Sequence, residues 1–174
     1  MKVLHIITRM NTGGPAVFLD HLTSSINELG CQSVIAYGFC ESNESDYTNN
    51  HKIKTELIKI KSLHRSLSPI DDIRAFSQIR KIIKQVKPDV VNTHTSKGGV
   101  LGRVAAKSVS RKLPVVHTFH GHLIYGYFAK YKIFVFTLIE KFLAQFTDAA
   151  ASITKETQDS LQGLRIGNNL KWQV

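Results

Sequence analysis

The segment that decides the fold lies near the start of the chain, where residues 3–15 are VLHIITRMNTGGP. Residues 3–8 form a short, largely apolar run of the kind that becomes a buried strand. Gly13 and Gly14 end this run, and residues 16–29 then carry apolar side chains along one helical face before a glycine stops the pattern. A buried strand, a glycine turn and an amphipathic helix in this order predict the beginning of a parallel α/β sheet.

The same alternation continues to the end of the chain. Five further strands are predicted, at residues 33–37, 55–60, 89–93, 115–119 and 148–153. Helices are predicted at residues 68–87, from about 98 to 109, from about 127 to 146 and at 154–161, whereas the polar segment 41–51 is predicted to be a loop. Strands that alternate with helices in this way predict a Rossmann-like α/β fold, with a parallel sheet and helices on both of its faces.

Composition narrows the class of protein. The chain has 174 residues, 43% apolar and 21% charged, which is typical of one globular domain. It contains no uncharged run of 18 residues, so no membrane-spanning helix is expected. Cys31 and Cys40 lack the spacing of metal ligands, and free cysteines favour a reducing compartment. We therefore expect a cytoplasmic protein.

The formal net charge of +10 is concentrated in the middle of the chain. Residues 51–140 hold 17 Lys and Arg against 5 Asp and Glu, a surplus of 12. Such a field favours nucleic acid, an anionic membrane surface or a phosphorylated substrate, and a solvated basic helix face is the alternative. No nucleic-acid-binding motif accompanies the charge, so nucleic acid is not an expected partner.

Ligands of such sheets bind at the carboxyl ends of the strands, which directs attention to three loops. The first loop contains Arg9, Asn11, Gly13 and Gly14. Paired glycines let a backbone approach an anion closely, and the following helix presents free N–H groups, so a pyrophosphate is a natural ligand. A tight turn without any ligand is the alternative. The G-x-G-x-x-G fingerprint is missing, which argues against a dinucleotide-dependent dehydrogenase.

The second and third loops contain histidines. The second begins with His94 and Thr95 and includes Lys97, a set that suits a hydroxylated or phosphorylated ligand, with a simple helix cap as the alternative. The third contains His120 and His122, where a neutral imidazole could orient a hydroxyl group. An H-x-H pair can also bind zinc, but no third ligand is near in the sequence, so no metal and no cofactor are expected.

Other site chemistry is not favoured. His117 lies between Val116 and Thr118 along a strand and is expected to be structural. None of the three loops contains a carboxylate, so these loops offer no pair of acidic residues for acid–base catalysis. There is no G-x-S-x-G nucleophile elbow either, which argues against a serine hydrolase.

Three segments together resemble the family-4 group of GT-B glycosyltransferases. They are VLHIITRMNTGGPAVFLDHL at residues 3–22, PDVVNTHTSKGGVLGRVAA at 88–106, and VVHTFHGHLIYGYF at 115–128 followed by IEKFLAQFTDAAASIT at 139–154. The resemblance is to the N-terminal half of the GT-B architecture. In that architecture two Rossmann-like domains face each other across a cleft, and the N-terminal one holds most of the acceptor site.

The resemblance also implies roles for individual residues. Gly13 and Gly14 would approach the donor diphosphate, and His120 would contact the transferred sugar near the reaction centre. His94 and Lys97 would lie on the acceptor side of the cleft. The other candidates for that cleft are Arg9, Asn11, Thr95 and His122. Members of this group retain the anomeric configuration and generally need no metal.

Residues 1–167 are thus expected to form an acceptor-side domain, and residues 168–174 to begin the linker or strand to an absent C-terminal donor-binding domain. The family's acidic E-x7-E motif, which contacts the donor, belongs to that second domain. We therefore expect a nucleotide-sugar donor and a glycan or lipid-linked acceptor in cell-surface polysaccharide synthesis, but no sugar transfer by this chain alone. Half of a nucleotide-sugar epimerase and a non-catalytic anion- or carbohydrate-binding module remain as alternatives.

Residues 123–146 are rich in aromatic side chains and include Lys130, Lys132 and Lys141. Such a segment could lie on a bilayer, which would suit a lipid-linked acceptor. A core helix with an aromatic face is the alternative. With the basic middle of the chain, this segment makes peripheral contact with the inner membrane face a reasonable hypothesis.

Overall fold

Seven strands form one parallel sheet in a computed structural model, which describes residues 1–121 and 130–174. The strands are β1 (Lys2–Ile7), β2 (Gln32–Tyr37), β3 (Glu56–Lys59), β4 (Val90–His94), β5 (Val115–Phe119), β6 (Ala149–Ser152) and β7 (Lys171–Gln173). Their order across the sheet is β3-β2-β1-β4-β5-β6-β7, and each neighbouring pair is parallel. The first strand of the chain therefore lies inside the sheet, between β2 and β4.

Helices connect the strands and cover both faces of the sheet. They are α1 (Gly14–Glu28), α2 (Tyr47–Asn50), α3 (Pro69–Val86), α4 (Ser96–Val109), α5 (Lys130–Leu143) and α6 (Lys155–Gly163), with a 3₁₀ turn over Ala144–Phe146. The predicted fold class, a Rossmann-like α/β sheet with helices on both faces, is confirmed. None of the described helices has the length and apolar character needed to cross a bilayer.

The central strand β1 has a continuous apolar sequence because both of its faces are covered. Leu4 and Ile6 point to the cluster formed with α3 and α4, and Ile7 belongs to the cluster with Leu19 of α1 on the other face. All four side chains are fully buried. Burial of each contributes roughly 1.5–3 kcal/mol, so this strand fixes the centre of the core.

Two glycines are required where backbones approach each other at the ends of the strands. A Cβ atom at Gly38 would lie 1.9 Å from the carbonyl oxygen of Leu63 and 2.4 Å from that of Thr8. At Gly98, in the first turn of α4, it would lie 2.8 Å from the backbone nitrogen of Thr8. The first turn of α4 therefore packs directly on the carboxyl end of β1, where the candidate site begins.

The structure corrects several predicted boundaries. The segment predicted as a loop at 41–51 contains α2, whose Tyr47 is buried and donates its hydroxyl to Asp20 at 3.1 Å. A single buried tyrosine leaves no periodic pattern in the sequence. Helix α1 begins at Gly14 and α4 at Ser96, each two residues earlier than predicted, because the glycines take part in the helices. The predicted helix at 127–146 is described from residue 130 onward.

The end of the chain adds a strand to this sheet. Lys171–Gln173 pairs in parallel with β6, and Trp172 donates its indole N–H to the carbonyl of Gly167 at 2.8 Å. Trp172 also stacks on Phe119, with ring centroids 5.7 Å apart. Residues 171–173 thus belong to the sheet itself, and the connection from this region to a second domain stays a prediction.

Replacement of Gly38 by alanine should lower the free energy of unfolding by about 3 kcal/mol or more, because the added methyl group meets two backbone carbonyls that cannot rotate away. Urea unfolding followed by circular dichroism measures the change. The matched control is Gly163→Ala in α6, where a Cβ would have no neighbour within 4 Å, and its effect should stay within about 1 kcal/mol. Equal stability of the two variants would contradict the close approach at Gly38.

Candidate active site

The loops after β1 and β4 are joined by hydroxyl groups. The Oγ1 atoms of Thr8 and Thr95 lie 2.6 Å apart, and the backbone N–H of Thr8 donates to Oγ1 of Thr95 at 3.2 Å. Oγ1 of Thr8 also accepts the backbone N–H of Gly98 at 2.8 Å. The first two candidate loops therefore form one connected unit at the carboxyl edge of the sheet.

Thr95 has a strained backbone, with φ at 60° and ψ at 163°. A β-branched residue rarely adopts positive φ, and such strain concentrates at functional sites. The Thr95 hydroxyl donates to the carbonyl oxygen of His94 at 2.6 Å and does not cap α4. The structure therefore does not support the simple helix-cap interpretation of this loop.

Three histidines form a row across the sheet. His5 of β1 and His94 of β4 are joined through Nδ1 and Nε2 at 3.2 Å, and Nδ1 of His94 lies 2.9 Å from Nε2 of His120. The ring of His120 also meets the edge of Phe18 on α1, with centroids 5.2 Å apart. His94 is completely buried, so it faces its two histidine neighbours rather than an open cleft. The structure thus brings the predicted residues His94 and His120 together.

These histidines are neutral at physiological pH. Burial lowers the pKa of His5 and of His120 from 6.5 to about 4. Burial, followed by the neighbouring histidines, lowers the pKa of His94 well below 6.5, and burial, followed by Arg103, does the same to the pKa of His117. A neutral imidazole carries one donor and one acceptor, so the tautomer of each ring in the row depends on its neighbour.

The inner end of the row indicates the direction of its hydrogen bonds. Nε2 of His5 is buried without a hydrogen-bond partner. Buried unpaired donors are rarer than unpaired acceptors. The favoured arrangement therefore has His5 donating to His94 and His94 donating to Nε2 of His120, which leaves the proton of His120 on Nδ1. In this arrangement His120 can donate one hydrogen bond to a ligand.

A pocket of about 290 Å³ opens beside this row, at the carboxyl ends of β4 and β5. Its lining comprises Thr95, Ser96, His117, Thr118, Phe119, His120, Gly121, Phe136 and Glu140. His117 is buried and shares a hydrogen bond of 2.8 Å with Thr93 through Nδ1. This contact agrees with the structural role expected for His117, although its ring also forms part of the pocket wall.

A carboxylate enters this pocket from a helix rather than from a loop. Glu140 of α5 accepts two hydrogen bonds of 2.8 Å from Arg103 of α4, and both residues are buried. Nε of Arg103 also donates to the carbonyl of Gly99 at 3.0 Å. This pair was not predicted from the sequence, where its one signal is an arginine among the glycines and alanines of α4. Because Arg103 neutralises it, Glu140 is a structural ion-pair partner and not a free base.

The first candidate loop, residues 8–15, is the glycine loop, and it lies beside α1 and the segment that follows β2. Gly13 is extended, with φ at 173° and ψ at 175°, a conformation open to any residue, and it accepts the N–H groups of Ala16 and Val17 at 3.2 Å each. A Cβ at Gly14 would meet no atom within 4 Å, so the surface there is open. The contact of Gly13 and Gly14 with a donor diphosphate stays a prediction.

The remaining candidates lie apart from the histidine row. Arg9 is paired with Glu44, with Nε 2.7 Å from Oε2, and Asn11 forms a backbone bridge with Asp46. These contacts fix the glycine loop to the segment before β3. They also occupy the guanidinium group of Arg9, so a role of this residue in ligand binding would require that the ion pair be shared.

Lys97 is likewise committed to an ion pair. Its ammonium group lies 2.5 Å from Asp72 of α3 and donates to the carbonyl of Ser66, and its side chain is only 11% exposed. The exposed lysine of the helix-cap interpretation is therefore wrong, and the cation does not join the histidine row. His122 lies outside the described residues. Within residues 1–121 and 130–174, no three His, Cys, Asp or Glu side chains are placed to hold a metal, and the metal-free site stays a prediction.

The sheet order and the site at the carboxyl edge of the strands define a Rossmann-like domain. The chain belongs to Glycosyltransferase Family 4, whose family model matches residues 12–170. This confirms the resemblance found in the sequence.

The chain is also similar to known proteins in sequence and in fold. The chain is 33% identical over 100 residues to the Escherichia coli UDP-Gal:alpha-D-GlcNAc-diphosphoundecaprenol alpha-1,3-galactosyltransferase, covering 58% of this chain and 26% of that protein. Its fold resembles the lipopolysaccharide outer core galactosyltransferase WaaB (TM-score 0.65, 11% identity, 100% of this chain and 45% of that one). It also resembles UDP-GlcNAc 2-epimerase from Neisseria meningitidis (TM-score 0.67, 14% identity, 99% and 46%). The chain spans about a quarter of the length of the curated relatives it matches.

The buried neutral histidines make stability depend on pH. Because the folded pKa of His5 is about 4 against 6.5 in the unfolded chain, the unfolded state binds more protons between these values. Stability is thus complete above about pH 6.5 and falls on acidification, with His5 alone accounting for on the order of 3 kcal/mol by about pH 4. Urea unfolding over this range should show a slope lower by up to about 1.4 kcal/mol per pH unit in His5→Leu. The exposed-residue control His21→Gln should keep the wild-type slope.

Removal of one partner of the Arg103–Glu140 pair should be strongly destabilising. Arg103→Leu leaves a buried, unpaired carboxylate, so the free energy of unfolding should fall by about 3–5 kcal/mol in urea unfolding experiments. The control is Lys155→Ala, which removes the exposed pair of Lys155 with Asp159 and should change stability by less than about 0.5 kcal/mol. A change at Arg103 as small as that of the control would show that the pair is not buried in solution.

Proposed function

We propose that this chain is the acceptor-binding part of a retaining glycosyltransferase. The full activity would move a sugar from a nucleotide-sugar donor to a glycan or lipid-linked acceptor in cell-surface polysaccharide synthesis. The observation that carries the proposal is the pocket at the carboxyl ends of β4 and β5, with His120 in its wall. Membership of Glycosyltransferase Family 4 supports it.

The character of the pocket favours a sugar ring over a phosphate. Its described polar groups are hydroxyls and neutral imidazoles, and its carboxylate is neutralised by Arg103. Phe119 and Phe136 contribute apolar surface to the same wall. Pockets for small ligands combine apolar walls with a few oriented polar groups, and a sugar presents hydroxyls together with an apolar ring face.

His120 would position a sugar rather than act as a base. A pKa of about 4 makes its imidazole a weak base at neutral pH. Nε2 is held by His94, so the ring orientation is fixed, and Nδ1 is left to contact a sugar hydroxyl. His5 then acts as a positioning residue, because it orients His94, which in turn orients His120.

The donor diphosphate would lie against Gly13 and Gly14. Negative charge develops on the departing nucleoside diphosphate, and the N-terminus of α1 offers N–H groups and the positive end of a helix dipole. The open surface at Gly14 leaves room for such a group. We assign the remaining donor contacts to a second, donor-binding domain, and we propose that the reaction needs neither metal nor cofactor. A site in the cytoplasm, at the inner membrane face, would suit a lipid-linked acceptor.

Two alternatives make different predictions. A non-catalytic anion- or carbohydrate-binding module would bind a nucleoside diphosphate tightly without help. An epimerase would need free acidic groups beside the histidines, whereas Glu140, the carboxylate of the described pocket, is held by Arg103. The likeness to epimerase structures concerns the fold alone.

Titration of the ¹⁵N-labelled chain with N-acetylglucosamine and with UDP tests the proposal. The sugar should shift the amide signals of Thr95, Ser96 and Thr118, because these residues line the pocket. His120→Ala should remove most of that shift, since its imidazole orients the sugar. UDP should bind more weakly than about 1 mM, because most of its contacts are assigned to the second domain.

The control variant is His21→Ala, which lies on the exposed face of α1 and should bind the sugar like the wild type. Tight binding of UDP by the unaided chain would favour the self-sufficient module. Sugar-induced shifts that avoid the pocket, or that survive in His120→Ala, would contradict the assigned acceptor site.

A further inference from the structure

Phe18 contacts the histidine row from helix α1. Its ring and that of His120 form a T-shaped pair, with centroids 5.2 Å apart and ring planes at 80°. The side chains of a helix lean toward its N-terminus, and the N-terminus of α1 lies at the carboxyl edge of the sheet. A residue in the second turn of α1 can therefore reach His120, and the contact joins α1 to the loop after β5.

This phenylalanine does not serve the apolar core. Phe18 is 37% exposed and belongs to none of the three apolar clusters formed by the described residues, whereas Ala16 and Leu19 on the same helix are buried. Of the described aromatic rings, Phe18 contacts that of His120. Its apolar surface is therefore placed against an imidazole at the polar edge of the sheet.

Phe18 reaches His120 from outside the pocket. The described pocket wall includes His120 but not Phe18. One side of the imidazole therefore faces the pocket, another faces Phe18, and Nε2 is held by His94 at 2.9 Å. A sugar in the pocket would leave the side at Phe18 unchanged, so Phe18 can influence this ring without touching the sugar.

A positive charge on His120 would break the histidine row. In the favoured arrangement His94 donates to Nε2 of His120, so this nitrogen must stay unprotonated. A proton on Nε2 would place two N–H groups opposite each other. The imidazole would then lose the partner that fixes its orientation, so the row needs a neutral His120.

We propose that Phe18 is a positioning residue, whose ring excludes water from His120, keeps the imidazole neutral and so keeps the histidine row intact. Burial lowers the pKa of His120 to about 4, which is the effect that such a cover produces. The consequence for sugar binding rests on the proposed function and deepens it, since a neutral and oriented His120 is the group that would contact a sugar hydroxyl. The effect of Phe18 on His120 itself does not depend on that function.

The charges around His120 do not replace this cover. The histidines of the three strands are neutral, and the ion pair between α4 and α5 has no net charge. The two ionisable groups of α1 near Phe18 are an aspartate that accepts the hydroxyl of Tyr47 and an exposed histidine whose charge solvent screens. These groups are His5 on β1, His94 on β4, His117 on β5, Arg103 on α4, Glu140 on α5, and Asp20 and His21 on α1.

The titration of His120 tests this role. Long-range ¹H–¹⁵N spectra of the ¹⁵N-labelled chain report the protonation and the tautomer of each imidazole. In the wild type His120 should stay largely neutral down to about pH 5, with its proton on Nδ1. Phe18→Ala should raise the pKa of His120 by at least about one pH unit toward that of an exposed imidazole, because water then reaches the ring. A wild-type His120 that titrates like an exposed imidazole, or an unshifted His120 in Phe18→Ala, would overturn the inference.

Matched variants separate the cover from other effects. Phe18→Leu keeps apolar bulk against the imidazole, so the pKa of His120 should stay closer to the wild type than to Phe18→Ala. Val17→Ala removes a neighbouring apolar side chain of similar exposure, 38%, and should leave the titration unchanged. A shift in Val17→Ala as large as that in Phe18→Ala, or no rescue by leucine, would also overturn the inference. Circular dichroism checks the fold at each pH, and Phe18→Val gives the same comparison with a smaller shift if the alanine variant does not fold.

Sugar binding gives a second readout, which a purely structural role of Phe18 would not move. Wild-type affinity for N-acetylglucosamine should be nearly equal at about pH 8 and about pH 5, since only roughly a tenth of the His120 rings are charged at the lower pH. Phe18→Ala should bind like the wild type at about pH 8, because Phe18 does not line the pocket. At about pH 5 its affinity should be at least about twofold lower, since half or more of the rings are then charged. Equal affinities of this variant at both pH values would overturn the positioning role.

The two proposals fail separately. No sugar binding by the wild type at about pH 8 would contradict the proposed function, while the titration of His120 would still decide the role of Phe18. Normal sugar binding together with an unshifted His120 in Phe18→Ala would contradict the role of Phe18 alone.

Discussion

The ion pair of Arg103 with Glu140 connects helices α4 and α5 at the wall of the candidate pocket. Arg103 donates to the carbonyl of Gly99, one turn earlier in α4. A Cβ atom at Gly99 would lie 2.6 Å from the ring of His117, so α4 packs directly on β5 and on the pocket wall. On the other side the pair holds α5. An apolar pair could provide equal stability, but two parallel hydrogen bonds of 2.8 Å define one rotation of the helix about its axis. This rotation turns Phe136 toward the pocket and leaves Phe134 and Phe142 exposed to solvent.

The histidine row is the second polar feature, and it differs from the ion pair in being uncharged. His5, His94 and His120 lie on β1, on β4 and after β5, so the row crosses the sheet at the level of its carboxyl edge. Rings that burial keeps neutral can exchange a hydrogen bond without the desolvation penalty of an ion. Such a row can fix the orientation of an imidazole at the site while adding no charge near a sugar.

The sequence predicted those features that depend on local pattern, and it missed those that depend on pairing between distant elements. Alternating apolar runs were enough for the parallel sheet, and the position of His94 and His120 after neighbouring strands was enough to bring them together. The role of His5 requires the knowledge that β1 and β4 are adjacent. The partner of Lys97 lies on α3, and Glu140 lies 37 residues from Arg103 on another helix, so neither pair has a signature in any one segment.

The place of β1 inside the sheet has a consequence for the order in which a chain can assemble. Val3 pairs with Ser33 of β2 on one side and with Val90 of β4 on the other. One edge of β1 can therefore be paired early in synthesis, whereas the other must wait until a much longer stretch of the chain has been made. Contacts between residues this far apart in the chain form slowly, since a long loop must close before they contribute. During that interval an apolar strand carries an open edge. At this stage of assembly the chain is open to pairing with another strand and thus to aggregation.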